Sequence, residues 1–235
     1  MGQPGVWITG ASSGIGKAAA IEFAKTGAKV FVSSRRESEL SKINSEISAT
    51  KLNVDVYPCN VSSYSNVVQT VKKILVTNQI DCLVNNAGVT SFKTAEQNSI
   101  QEIKNIINTN LLGAIYSIKA VLPYMIERRG GTIINILSVV THKVFTNSSA
   151  YTASKMGLLG YTNSLREEVR KYNIKIINIM PGATSTEMWS PEIKEKNHGR
   201  MMKSEEIAKI IAWAYLQKEN LITEEILLRP MEGDL

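Results

Sequence analysis

A doubly wound α/β fold, with a seven-stranded parallel sheet covered by helices on both faces, follows from three features of the sequence. Short apolar runs rich in Val and Ile alternate with longer segments of helical periodicity from one end to the other, the pattern of parallel strands joined by crossover helices. A glycine turn, Gly10 to Gly16, stands directly between the first such run and the first helical stretch. No Pro/Gly/Ser-rich linker, charge block or internal repeat divides the 235 residues, a length that one α/β unit fills, so residues 1–235 are expected to form a single domain.

Taken in order, strands are expected near residues 5–9, 28–33, 53–58, 81–84, 131–137, 174–180 and 225–229, with helices between them. The apolar-periodic stretch from Ile100 to Glu127 carries Asn110 in its middle, where an amide has poor helical propensity. That placement suits either a functional task or a bend. A second long helix is expected from Tyr151 to Lys171. Residues 187–202, rich in charge and closing on Met201 and Met202, read as a small mobile lid.

Composition narrows the function classes. Apolar residues at 43% and charged residues at 20% describe an ordinary globular chain. No apolar run approaches the roughly 18 residues of a membrane span. The formal charge of +6 is scattered, without a Lys/Arg stripe and interleaved aromatics, which argues against nucleic acid as a partner. Cys59 and Cys82 fall in or beside strands and are expected to be buried thiols, with no metal site. The amino terminus runs straight into the first strand without a signal-peptide pattern, so the cytoplasm is the expected compartment.

The glycine turn is the first functional signal. Gly10, Gly14 and Gly16, with Ser12, Ser13 and Ile15 between them, lie where a strand hands over to a helix. Glycine permits the sharp turn and the close approach of backbone to a pyrophosphate, while the helix amino terminus offers free N–H groups and a positive dipole. The spacing departs from Gly-x-Gly-x-x-Gly, and the two serines could equally cap the helix.

The second signal is Tyr151 followed four residues later by Lys155, with Ser138 thirteen residues upstream at the end of a strand-like run. Residues four apart share a helix face, so the ammonium can sit beneath the phenol and favour the phenolate. The expected result is a tyrosine with a lowered pKa that works as acid and base, and a serine that donates a hydrogen bond to the same substrate oxygen.

The end of the second strand bears on the choice of cofactor. About twenty residues after the glycine turn an aspartate would accept the ribose hydroxyls of NAD. Here Ser34, Arg35 and Arg36 stand instead, and a guanidinium forks onto phosphate oxygens. NADP(H) is therefore the expected cofactor, with NAD(H) possible, Arg35 the main contact, and Ser34 and Arg36 assisting.

These motifs fall in one order along the chain, and in that order they resemble the short-chain dehydrogenase/reductase family. Thr9 to Gly16 is similar to that family's cofactor loop, Asn85-Asn86-Ala87-Gly88 to its central strand-end motif, and Asn110 with Ser138, Tyr151 and Lys155 to its catalytic tetrad. Pro181 and Gly182, with Thr184 and Thr186, resemble the segment that touches the nicotinamide amide; Thr184 replaces the customary aliphatic residue. Asn60 beside Val61 stands where an aspartate near the adenine is more usual.

The resemblance implies a Rossmann-type fold and hydride transfer between a nicotinamide and a carbonyl or secondary alcohol, as in a ketone or 3-oxoacyl reductase. It implies that Lys155 also holds the nicotinamide ribose, that Asn110 helps hold a water linking the lysine to solvent, and that two long helices pair in homodimers or homotetramers. The carboxyl end, Glu225 to Leu235, lacks the Val-Asp-Gly-Gly type ending of many ketoacyl carrier-protein reductases. Substrate contacts are expected from Val140, His142, Met188 and Trp189, within walls formed by residues 139–147, 89–93 and the lid. A catalytically silent NADP sensor is the alternative, and the complete tetrad argues against it.

Overall fold

The computed structural model describes residues 2–48, 52, 54–217 and 221–235. Among them the first strand, β1 (Gly5–Thr9), is buried at every position, as expected of a strand covered on both faces. It leads through the glycine turn into α1 (Gly14–Lys25), then β2 (Lys29–Ser33), α2 (Glu37–Ser48), β3 (Val54–Val56), α3 (Tyr64–Leu75) and β4 (Cys82–Asn85). The second half runs through α4 (Ile100–Ile106), α5 (Gly113–Arg128), β5 (Gly131–Ile136), α6 (Ser149–Val169) and β6 (Ile174–Pro181). After a two-residue strand β7 (Thr184–Ser185) come α7 (Pro191–Lys196), β8 (Met202–Lys203), α8 (Ser204–Leu216) and β9 (Glu225–Leu228).

Seven strands form one parallel sheet in the order β3-β2-β1-β4-β5-β6-β9. The chain winds outward from β1 to β3, then restarts beside β1 with β4 and winds the other way. That reversal opens a crevice at the carboxyl ends of β1 and β4, the place where ligands bind in open α/β sheets. Helices α1, α2 and α8 bury Ala19, Phe23, Leu40 and Ile211 on one face. Helices α3, α5 and α6 bury Val67, Ile118 and Leu165 on the other. Cys59 and Cys82 are free thiols inside this packing, and burial pushes both of their pKa values up.

Two local features depart from simple sequence expectation. The stretch expected as one helix from residue 100 is interrupted by a π-helical segment, Ile107–Leu112, between α4 and α5. The start is fixed by a capping box, Ser99 with Glu102, and the wide turn falls around Asn110. The third strand is shorter than expected, Val54–Val56, and residue 53 of that expectation lies outside the described residues.

Three asparagines form a buried ladder across the sheet. Asn85, Asn135 and Asn178 face each other in register on β4, β5 and β6. The Asn85 amide donates to Asn135 Oδ1 at 3.0 Å and the Asn135 amide donates to Asn178 Oδ1 at 3.1 Å. Thr162 of α6 donates to Asn178 Oδ1 at 3.2 Å, closing the ladder against the helix that carries Tyr151.

Candidate active site

The glycine turn is held by the neighbouring strand. Gly10 has φ +66°, and a Cβ there would lie 2.6 Å from Ala87 Cα. At Gly16 a Cβ would meet Asn86 Nδ2 at 2.4 Å and the Gly10 carbonyl at 2.5 Å. Only glycine fits both positions. The Asn86 amide donates to the carbonyls of Thr9 and Gly10 at 3.1 and 3.0 Å, while Thr9 Oγ1 accepts from the Asn86 and Ala87 N–H groups, each at 3.2 Å. Asn86 thus acts on the turn that would hold a pyrophosphate, bridging the two strands at the crevice. Ser13 precedes α1 without a side-chain capping bond, so the hydroxyl is not spent on the helix. This cradle of small residues at a helix amino terminus fits a dinucleotide.

At the end of β2, Ser34 is buried, and Arg35 and Arg36 are exposed. Arg36 leans over the glycine turn, with one guanidinium nitrogen 3.5 Å from Ser12 Oγ. Arg35, the main contact expected for the phosphate, stands next to Arg36 at the same strand end. Glu37 begins α2. Asn60 caps its own turn, its Oδ1 accepting from Ser62 N–H at 3.2 Å, and Val61 is buried against Gly113.

The four tetrad positions converge at the carboxyl edge of the sheet. Lys155 is 4% exposed and donates from Nζ to the Ile136 carbonyl at 2.7 Å. Its ammonium lies 5.7 Å from the centroid of the Tyr151 ring. Ser138 follows β5 and stands beside the Tyr151 phenol, whose pKa it pulls down. Gly88 stands beside the group: a Cβ on it would lie 3.6 Å from Asn110 Oδ1 and 3.7 Å from Lys155 Nζ.

Asn110 is 1% exposed and fully engaged. Its Oδ1 accepts from Val89 N–H at 2.8 Å, and its amide donates to the Val89 carbonyl at 2.9 Å and to Ser154 Oγ at 3.0 Å. The side chain braces the loop after β4 against the tyrosine helix, and the π segment lets it reach both.

The electrostatics differ from the sequence expectation in one respect. Burial pushes the Tyr151 phenol up to about 12, and the hydrogen bond with Ser138 pulls the other way. Burial also lowers the Lys155 ammonium to about 8. Desolvation is the largest influence on both groups, so the phenol is a proton donor at neutral pH.

The expected substrate contacts are spread around this edge. Val140 N–H donates to Ser138 Oγ at 3.3 Å, and His142, exposed, pairs its Nδ1 with Thr141 Oγ1 at 3.0 Å. Lys93, in the wall expected from residues 89–93, is held at 2.6 Å by Glu102. Trp189 donates from its indole to the Thr184 carbonyl at 3.1 Å, while Met188 is 38% exposed. Thr184 sits in β7 and hydrogen-bonds the Gly182 carbonyl, and Gly182 N–H donates to Leu228. Thr186 lies over the glycine turn, its methyl 3.0 Å from where a Cβ on Gly14 would be.

Sequence reasoning did not single out Phe92, whose ring stacks on Trp189 at 4.7 Å between centroids and 13° between planes. Within the expected lid, residues 191–196 form α7 and Met202 starts β8, which pairs with β7. No cluster of three metal-ligating side chains occurs among the described residues, and no described helix is long and apolar enough to cross a membrane.

Residues 5–197 match the family model for short chain dehydrogenase. The chain belongs to that family. Among its short-chain dehydrogenase relatives is a protein named sepiapterin reductase from Chlorobaculum tepidum, 36% identical, with 97% of this chain and 96% of the relative aligned. A second, from Thermotoga maritima, is named 3-oxoacyl-[acyl-carrier-protein] reductase and is 32% identical over 94% of this chain and 93% of its own. Of solved structures, a metagenomic short-chain oxidoreductase in complex with NADP superposes with a TM-score of 0.85 at 29% identity, covering 97% of each chain. The protein is therefore an oxidoreductase of the short-chain dehydrogenase/reductase type, and its sheet is the Rossmann-type sheet of that family.

Proposed function

We propose that the protein is an NADPH-dependent carbonyl reductase whose proton donor is Tyr151. The observation that carries this reading is the convergence of Ser138, Tyr151 and Lys155 at the crevice beside the glycine turn. When bound, the reduced dinucleotide supplies the hydride that the carbonyl carbon receives. Its pyrophosphate would rest on the turn Gly10 to Gly16, its adenosine phosphate beside Ser34, Arg35 and Arg36, and its nicotinamide end near Pro181, Gly182, Thr184 and Thr186. Support for the 2′-phosphate comes from the two exposed guanidinium groups at the end of β2 and from the NADP-bound relative at 29% identity.

Ser138 Oγ hydrogen-bonds the substrate oxygen and orients it, and Tyr151 gives that oxygen its proton. A phenol held up to about 12 is fully protonated at pH 7 and ready to donate. Lys155, lowered to about 8, is still mostly an ammonium at pH 7 and stabilises the phenolate left behind. Asn110 fixes the distance between the Val89 loop and the tyrosine helix.

Two relatives named for different carbonyl substrates leave the substrate class to experiment. The stacked Phe92 and Trp189 add a flat aromatic wall between the loop after β4 and the lid. A panel of planar ring ketones, open-chain ketones and 3-oxoacyl thioesters, each with NADPH and with NADH, tests the reading by loss of nicotinamide absorbance. NADPH-linked turnover supports it and ranks the substrates; tight NADPH binding with no turnover on any carbonyl overturns it. Residues 1–235 are read as one domain, working in the cytoplasm. Self-association through α5 and α6, which expose Tyr124 and Met156, is checked by sedimentation; a monomer at micromolar concentration would refute it.

A further inference from the structure

The last seven residues touch each of the segments that wall the cleft on the side of the lid. The Leu228 carbonyl accepts from Gly182 N–H at 2.8 Å, which seats the end of β9, from which the tail leaves, against the segment after β6. Pro230 follows, its Cδ 3.2 Å from where a Cβ on Gly182 would lie. Gly233, at φ +84°, makes a turn whose N–H donates to the Pro230 carbonyl at 2.9 Å. That turn sends the carboxylates on either side of it to different elements. Glu232 reaches Arg200 at the end of the lid, 3.2 Å away. Asp234 folds inward, its side chain 4% exposed, with Oδ2 2.9 Å from Lys143 Nζ and 3.4 Å from Arg229.

Lys143 belongs to the loop that joins Ser138 to Tyr151, and its ammonium also lies 5.3 Å from the centroid of Phe145. A carboxylate this deeply covered is costly unless cations face it. Among the described residues Asp234 Oδ1 has no hydrogen-bond partner, so the two cations on Oδ2 are what hold the group in place. Exposed ion pairs such as Arg200 with Glu232 are individually weak. The Asp234 carboxylate, covered while its two cations stay partly exposed, is screened less than a pair open on both sides.

We propose that residues 229–235 form a strap that sets the shape of the substrate pocket. Asp234 is a positioning residue that fixes the loop from Ser138 to Tyr151 through Lys143, and Glu232 steadies the lid through Arg200. The inference rests on the reading that this cleft reduces a carbonyl, and it makes the tail a determinant of substrate affinity without any contact with the reacting atoms.

The test compares Asp234→Asn, Lys143→Met and their combination in the full chain, measuring kcat and KM for the carbonyl, the Kd for NADPH, the melting temperature and the rate of tryptic cleavage at Lys194, Lys196 and Arg200. Each single variant is expected to raise KM about tenfold while kcat and the NADPH Kd stay within about threefold, and the double variant to be no worse than either single one. Lid cleavage should quicken in Glu232→Arg and return to the wild-type rate when Arg200→Glu is added, counting cleavage at the two lysines only. That exchange and Lys143→Met carry the test should Asp234→Asn fail to fold. Effects of the Asp234 and Lys143 variants that multiply, or a melting temperature that falls while KM stays put, would overturn the strap. A wild-type protein that reduces no carbonyl would sink the catalytic reading, and the lid-cleavage arm would still decide the strap by itself.

Discussion

Replacing Lys155 by Met should make the protein more stable and inactive at once. Burial holds the ammonium's pKa at about 8 against an ordinary 10.5. The folded state therefore disfavours the charged lysine at pH 7 by about 3 kcal/mol, at roughly 1.4 kcal/mol for each pH unit between the two values. The sign follows from proton counting. Between pH 8 and 10.5 the unfolded chain binds more protons than the folded one, so stability rises with pH across that window, and below pH 8 the full cost is present. Methionine removes the charge and fills a similar volume. It also removes the 2.7 Å hydrogen bond to the Ile136 carbonyl, which leaves a buried acceptor unpaired at a cost of about 1 kcal/mol. The net expectation is a gain of about 2 kcal/mol at pH 7, or a melting temperature higher by about 5 °C for a chain of this size. At pH 9.5 the wild type has recovered about 2 kcal/mol, so the gain should nearly vanish. Thermal melts of both proteins without cofactor, at pH 7 and pH 9.5, measure it. A variant less stable than wild type at pH 7, or a difference that does not change with pH, would refute the argument that desolvation of Lys155 dominates this site.

The same lysine should shape the reductive pH profile: kcat/KM falls above about pH 8 as the free enzyme's ammonium loses its proton, and a rate flat to pH 10 would contradict this. Tyr151→Phe should cut turnover by about a thousandfold or more with the Kd for NADPH unchanged, read by initial rates and by fluorescence titration. Converting Arg35 and Arg36 to Glu together should lower the preference for NADPH over NADH by tenfold to about a hundredfold, given about 1.5 to 3 kcal/mol for a charged hydrogen bond; an unchanged ratio would place the phosphate elsewhere. Gly16→Val should abolish dinucleotide binding, because its Cβ would meet the Asn86 amide at 2.4 Å, and binding by the folded variant would show that the turn can yield.

The glycine turn, the spacing of Tyr151 and Lys155 and the alternation of strands with helices were legible because they depend on particular residue types at short, fixed spacings. Gly10 and Gly16 announce a close backbone approach, and Tyr151 with Lys155 announces a shared helix face. What depended on packing was not legible. The direction of the Tyr151 shift follows from how much protein covers the phenol, which spacing does not encode. The π segment around Asn110 goes with an amide that bonds both Val89 and Ser154, partners 21 and 44 residues away. Phe92 lay within a loop expected to wall the pocket, but its stacking on Trp189 required the lid to be placed first. Asp234 and Lys143 are 91 residues apart, and no periodicity joins a carboxyl tail to a loop after the fifth strand.

The asparagine ladder bears on how accurately the crevice is assembled during folding. A parallel sheet of Val and Ile tolerates slippage, since one apolar side chain resembles the next. If β5 slid by one residue, Asn135 would turn to the opposite face, and both of its amide bonds would be lost in a dry interior. Stranding the Asn85 and Asn135 amides costs about 1 to 3 kcal/mol each, while Asn178 keeps its bond to Thr162, enough to turn a near-degenerate set of alignments into a single one. Ser138 lies three residues beyond Asn135, and Asn86 immediately follows Asn85. The ladder therefore serves as a vernier: its amides leave the chemistry untouched, yet they fix to a single notch where the serine and the glycine-turn brace emerge from the sheet.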